Sequence, residues 1–259
     1  MSVPRALLLA HQRGEATVNQ VLRGLMAHKG WLVPVSFFEP EEVRDTYKVA
    51  FGPRHQIPHA ELWIYTEQGT ATYAVQQGAL LGAYVTMIPG TVLFQRMPEA
   101  AQTLKVNAGG YAEDLLELER VSFDRLALWA RTVELEQAMA GVGDPTADLQ
   151  LMAKLRAHGE YHLALLPDGR MIAKPGEGGY QQPGVVCTSP DSYDTFVEAL
   201  DETLQQQIRH SIVDGDAFGA EIARQDIDAV FFNPFGPGPT LTWPRSVGEA
   251  IATAPRIER

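Results

Sequence analysis

This chain of 259 residues has a single cysteine, Cys187, so it can form no internal disulfide, and no Cys-x-x-Cys pair exists to hold zinc. A lone thiol fits a reducing compartment, and the expected location is the cytoplasm. Long apolar runs are also missing. No stretch approaches the roughly 20 apolar residues that span a bilayer, which argues against a membrane protein. The N-terminal run Ala6-Leu7-Leu8-Leu9-Ala10 is too short for a secretory core and leads into His11-Gln12-Arg13-Gly14 rather than a cleavage site. Cations are scarce as well: 21 Lys and Arg stand against 32 Asp and Glu, a formal net charge of -11, and the basic residues are scattered singly. Such a field repels phosphate backbones, so nucleic acid is excluded as an expected partner.

What remains is a globular composition, 45% hydrophobic and 20% charged. Val18, Leu22, Leu25 and Met26 at helical spacing predict a helix stopped by Gly30, followed by a strand at residues 31–35 whose Pro34 suits an edge. Residues 40–58 read as a loop or short helix. Leu62–Tyr65 and Thr70–Val75 around Glu67-Gln68-Gly69 predict a hairpin. A helix over residues 91–97 and a strand over 103–106 follow. Ser122 is placed to cap a long helix ending at Met139, with Phe123, Leu126, Ala130, Val133 and Gln137 on one face. Gly141 to Pro145 then reads as a linker.

In the second half a helix is expected near Asp148–Ala157. A second hairpin turns on Asp168-Gly169, a strong short-range turn signal. Ser189 precedes Pro190 as N-cap and first helical residue, with Phe196, Val197, Leu200 and Leu204 as the buried stripe. A short helix at 216–224 and a strand at 229–232 lead into Asn233-Pro-Phe-Gly-Pro-Gly-Pro239.

One pattern occurs twice: Gly, short amphipathic helix, apolar strand, Asn, then a Gly-rich turn. It runs from Gly90 to Asn107 and Gly109, and again from Gly215 to Asn233, Pro234 and Gly236. Gly90 precedes Gly215 by 125 positions (215 − 90) and Asn107 precedes Asn233 by 126 (233 − 107). Asn and Gly at these points are structural turn residues, because both tolerate left-handed backbone. The period exceeds that of solenoid repeats, which predicts duplication of a whole module. The fold expectation is α+β, with two similar modules of small mixed or antiparallel sheets and helices on one side: residues 1–140, a linker at 141–147, and residues 148–259.

Val186-Cys-Thr-Ser-Pro190, Gly215-Asp-Ala-Phe218 and Asp228-Ala-Val-Phe-Phe-Asn-Pro234 resemble motifs of the bacterial SseB-like family. A weaker version runs from Gly90 to Gly109, where Ala108 replaces the proline, and Trp129–Glu136 resembles the segment that follows the family's first module. The resemblance implies tandem modules and transfers no catalytic residues.

Reactive constellations are thin. Cys187 with a histidine is the one enzymatic alternative, set against a small apolar side chain before a helix. His158 and His162 have metal-ligand spacing but lie across a helix–strand junction. His59-Ala-Glu61 matches half of a zinc-deaminase signature whose cysteine half is absent. Gly176-Glu-Gly-Gly179 lacks the Lys-Ser/Thr of a phosphate loop. No metal and no cofactor is expected. Phe235, Pro237, Pro239 and Trp243 instead form an aromatic and proline-rich stretch, expected to bind a protein partner or support self-association. The expectation is thus a non-catalytic binding, adaptor or accessory protein. A chaperone- or immunity-like protein that neutralises a basic target is the further alternative.

Overall fold

The computed structural model describes residues 2–35, 61–77, 84–97, 101–109, 115–119, 123–140, 142–143 and 145–257. The expected loop or helix at 40–58, His59 and the Ser122 cap lie outside these residues. The fold is α+β. Its contacts separate two compact units, Met1–Arg131 and Thr132–Arg259.

In the first unit, α1 (Val3–Gln12) precedes α2 (Val18–Ala27), which opens with a reciprocal capping box: Gln20 N–H donates to Thr17 Oγ1, and Thr17 N–H donates to Gln20 Oε1. The elements that follow are β1 (Trp31–Val35), β2 (Glu61–Ile64), α3 (Gln68–Gln76), β3 (Tyr84–Ile88), α4 (Gly90–Gln95), β4 (Thr103–Val106), β5 (Leu116–Glu119) and α5 (Phe123–Met139). β1 pairs antiparallel with β3, β2 runs parallel to β4, and β4 pairs antiparallel with β5. β1 and β2 meet at one point, where Leu32 and Tyr65 exchange both backbone hydrogen bonds at 3.0 and 2.9 Å. The unit thus holds a two-stranded sheet, β3-β1, and a three-stranded sheet, β2-β4-β5, touching at this bridge, and Pro34 lies beyond the short β1–β2 contact, where a missing N–H is tolerated.

The expected hairpin at 62–75 is not formed, because its second arm is helix α3. Two parallel strands such as β2 and β4 cannot be joined by a tight turn and require a crossover. α3 takes part in that crossover and buries Thr70, Ala71 and Ala74, with Ala71 and Ala74 packed on Leu32 and Tyr65.

The second unit holds most of the remaining elements: α6 (Leu149–Ala157), β6 (Tyr161–Leu165), β7 (Pro183–Cys187), α7 (Pro190–Glu198), α8 (Glu202–Gln207), β8 (Arg209–Val213), α9 (Gly215–Arg224), β9 (Ala229–Phe232), β10 (Leu241–Pro244) and α10 (Ser246–Thr253). Asp148 caps α6 by accepting from the Gln150 and Leu151 amides, and Ser189 caps α7. The Asp-Gly turn forms as expected, with Gly169 at φ +85° and Ile172 N–H bonded to Ala164 O at 3.0 Å. The expected stripe from Phe196 to Leu204 is interrupted, because α7 stops and Asp201 caps a separate helix, α8.

The sheet order is β8-β6-β7-β9-β10, with β7 parallel to β9 and every other pair antiparallel. Helices cover both of its faces, not one. Leu151, Leu155, Phe218, Ile222, Val247 and Ile251 pack on one face with Phe232, while Tyr193 and Phe196 of α7 pack on the other with Phe231. Successive strand residues point to opposite faces, so Phe231 and Phe232 are both buried. Each contributes on the order of 2 kcal/mol by leaving water.

Where α4 meets the end of α2, and α9 the end of α6, only glycine fits. A Cβ on Gly90 would stand 2.4 Å from Leu25 O, and one on Gly215 would stand 2.2 Å from Arg156 O. The amides of these glycines donate to His28 O (2.7 Å) and His158 O (2.9 Å) respectively. The unit boundary lies within α5, while the expected linker at 141–147 includes one 3-10 turn, Pro145–Ala147.

Candidate functional site

The polar knot beneath the Asn233 loop starts at the end of β9. Asn233 adopts left-handed backbone (φ +48°), and its amide donates to Val186 O at 2.9 Å. Its Oδ1 accepts from Thr188 N–H at 2.8 Å, with Thr188 Oγ1 at 3.1 Å. Buried Glu136 adds a carboxylate oxygen 2.6 Å from that hydroxyl. Asn107 does the same work in the other unit: φ +58°, its amide bonded to Ile64 O at 2.8 Å, and its Oδ1 accepting from Thr66 N–H and Oγ1–H at 3.0 and 3.1 Å. Satisfied buried groups of this kind fix a turn, since an unmade bond costs about 1–3 kcal/mol.

Two residues further on, the loops diverge. Gly109 has φ +68°, a conformation glycine adopts freely. Phe235 has φ +63°. For a residue with a side chain the left-handed region costs roughly 1–2 kcal/mol, which burial of the ring offsets only in part, because Phe235 is 56% exposed. The Lys174 ammonium lies over the ring, 4.5 Å from its centroid, and also lies 5.2 Å from Phe231 and pairs with Glu177 at 3.1 Å. A partly exposed cation–π contact of this kind is worth about 0.5–1 kcal/mol.

The rest of the loop is held tightly. Pro234 is buried, Gly236 N–H donates to Asn233 O at 3.2 Å, and a Cβ on Gly236 would collide with Ser192 at 2.8 Å. Asn233 Nδ2 donates to Pro239 O at 3.4 Å, and Thr240 Oγ1 donates to Asn233 O at 3.2 Å. Pro237 is exposed and Pro239 partly so. Trp243 is a correction to the expected surface. It lies on β10 at 4% exposure, its ring edge-on to Phe232 at 5.2 Å, and belongs to the core.

Of the reactive candidates, Cys187 of β7 stands opposite His162 of β6 in the antiparallel pair. Cys187 is buried among Ala164, Ile172, Val185, Phe196 and Phe231, and burial, with Asp191, Asp194 and Glu136 adding to it, pushes its thiol far above the ordinary range. His158 ends α6 with Nε2 3.0 Å from Thr188 O and its ring edge-on to Tyr161 at 4.8 Å. His28 has the matching place beside Trp31 (5.0 Å), and burial lowers its pKa against backbone hydrogen bonds from Gly30 and Thr66. His162 has Nδ1 2.9 Å from His210 Nε2, and burial, then His210 and His158, lower its pKa to about 4 against Asp191. No group of three or more His, Cys, Asp or Glu among the described residues is arranged to hold a metal. Gly176–Gly179 forms a 3-10 turn rather than the mouth of a helix.

Lys174, Ser192, Thr188 and Glu136 escape a sequence reading. The available signal was the pair Thr66 and Thr188, each directly following a β-strand run. No family model, no curated protein and no solved structure significantly matches this chain. Among the described residues no helix is long and apolar enough to cross a membrane.

Proposed function

We propose that this chain is a non-catalytic binding or adaptor protein of SseB-like type, working in the cytoplasm and engaging a protein partner through the loop from Asn233 to Pro239. The carrying observation is Phe235: an exposed aromatic on left-handed backbone, at the position where the other unit has glycine. Backbone strain that folding does not require is characteristic of recognition sites. A ring on a preorganised loop also loses little freedom when a partner takes it up. Pro237 and Pro239 support the reading by limiting the loop's alternatives. A nucleophilic role for Cys187 has no comparable support, since a buried thiol with a raised pKa supplies little thiolate.

The test compares tagged wild type and Phe235→Gly at equal expression in the native cell, with co-eluting proteins quantified by mass spectrometry. At least one protein should be depleted in the variant while the circular dichroism spectrum stays the same. Identical captured sets would remove the loop from consideration.

A further inference from the structure

The reading of Phe235 as a docking anchor leaves open the chemistry of what docks, and the charges around the loop narrow it. Residues 175–208 contain six carboxylates, Glu177, Asp191, Asp194, Glu198, Asp201 and Glu202, and no Lys or Arg. Residues 225–244, which carry the loop itself, contain no Lys or Arg; their two carboxylates, Asp226 and Asp228, precede β9 and lie at its other end from the loop, where Asp228 accepts from the Gln181 and Gln182 amides. These segments meet at the loop, where Gly236 packs on Ser192 in the first turn of α7. Asp194 and Glu198 follow Ser192 on that helix, exposed and four residues apart, and so share one face. The Asp194 carboxyl is raised by burial first, with His210 opposing the shift and Asp191 and Glu198 adding to it.

Lys174 stands at the ring, and its position is informative. Its ammonium lies over the Phe235 ring while Glu177 neutralises it, so an aromatic face and a carboxylate already hold a positive group together here. The same pairing, repeated outward with the exposed ring and the α7 carboxylates, suits further cations. Other occupants fit less well. Nucleic acid and anionic lipid are repelled by this field, and a second copy would set net charge -11 against -11.

We infer that the partner is a protein presenting a basic segment, in which arginines or lysines flank an apolar side chain that meets Phe235. This rests on the docking reading above. The carboxylates provide steering and register, and the ring provides the apolar contact whose loss weakens the complex most.

The experiment measures fluorescence polarisation of three labelled short peptides against the full chain: arginine alternating with leucine, and the same peptide with glutamine or with glutamate in place of arginine. The expected result is binding of the arginine peptide alone, weakening as sodium chloride is raised. Phe235→Gly, which leaves the net charge unchanged, should weaken it by at least about tenfold. The double variant Asp194→Asn, Glu198→Gln should weaken it with a shallower salt dependence. If the glutamine or glutamate peptide binds equally well and Phe235→Gly abolishes that binding, the basic partner is overturned while the docking loop stands. If the arginine peptide binds Phe235→Gly as tightly as wild type, the attraction is that of any acidic surface, and both inferences fall. Absence of binding by all three peptides overturns the basic segment, and the capture experiment then judges the loop separately.

Discussion

The two units solve one backbone problem in the same way and then treat the next position differently. In each, a parallel strand pair ends with a Thr amide and hydroxyl at an Asn Oδ1, the Asn is left-handed, and a helix-capping His passes its carbonyl to a glycine amide. A ring donor closes the same helix turn in both: Trp31 Nε1–H to Leu25 O at 2.9 Å and Tyr161 O–H to Leu155 O at 2.8 Å. Two residues after the Asn, one unit has Gly109 and the other Phe235. Folding physics accounts for the shared part, and the relaxed alternative at 109 marks what folding does not explain at 235.

The comparison breaks most visibly in the core. Trp243→Ala should cost about 3–5 kcal/mol in denaturant unfolding, because the indole is buried against Phe232. A loss under about 1 kcal/mol would return Trp243 to the surface and remove the contrast with Phe235.

Acid should separate the units next. His162 occupies the β6 position matched by Leu32 in β1, since each pairs across to the neighbouring strand, at Cys187 and Tyr65 respectively. Its folded pKa of about 4 lies below the unfolded value of 6.5, so the unfolded chain binds the proton more readily. The stability from neutral His162 is therefore complete above pH 6.5 and is lost as pH falls towards 4, by about 3 kcal/mol. His162→Leu should flatten that part of the pH–stability curve of the second unit, and an unchanged curve would show that the histidine titrates freely.

Asn233→Ala and Asn107→Ala each strand a buried Thr amide and place alanine on left-handed backbone. Each should cost about 2 kcal/mol by thermal unfolding. A large cost in one unit alone would mean the two turns are not equivalent. At the small end, Gly109→Ala should cost roughly 1 kcal/mol through φ alone, since alanine at positive φ is strained.

Legibility in the sequence followed the strength of local backbone demands. Gly90, Gly215, Asn107 and Asn233 could be paired by eye because few other residues fit where they stand. The Ser189 cap and the Asp168-Gly169 turn were readable for the same reason. α3 was not: Thr70-Ala-Thr-Tyr-Ala-Val75 alternates like a strand, and only the parallel β2–β4 pairing, a tertiary fact, demands a crossover there. The partly exposed edge strand β8 carries little apolar signal, and the second helical layer that buries both Phe231 and Phe232 is invisible in a four-residue strand. At the site, Phe235 stood out as an aromatic in a turn. Its strain, the Lys174 ammonium over its ring and the removal of Trp243 to the core required coordinates.

The central claim is that Phe235 serves recognition rather than folding. The most direct test is the urea unfolding midpoint of Phe235→Gly against wild type. Release of the left-handed strain should roughly offset the lost cation–π contact and the added freedom of glycine, leaving stability within about 1 kcal/mol of wild type. A fall of about 2 kcal/mol or more would show that the ring helps hold the unit together and would contradict the account.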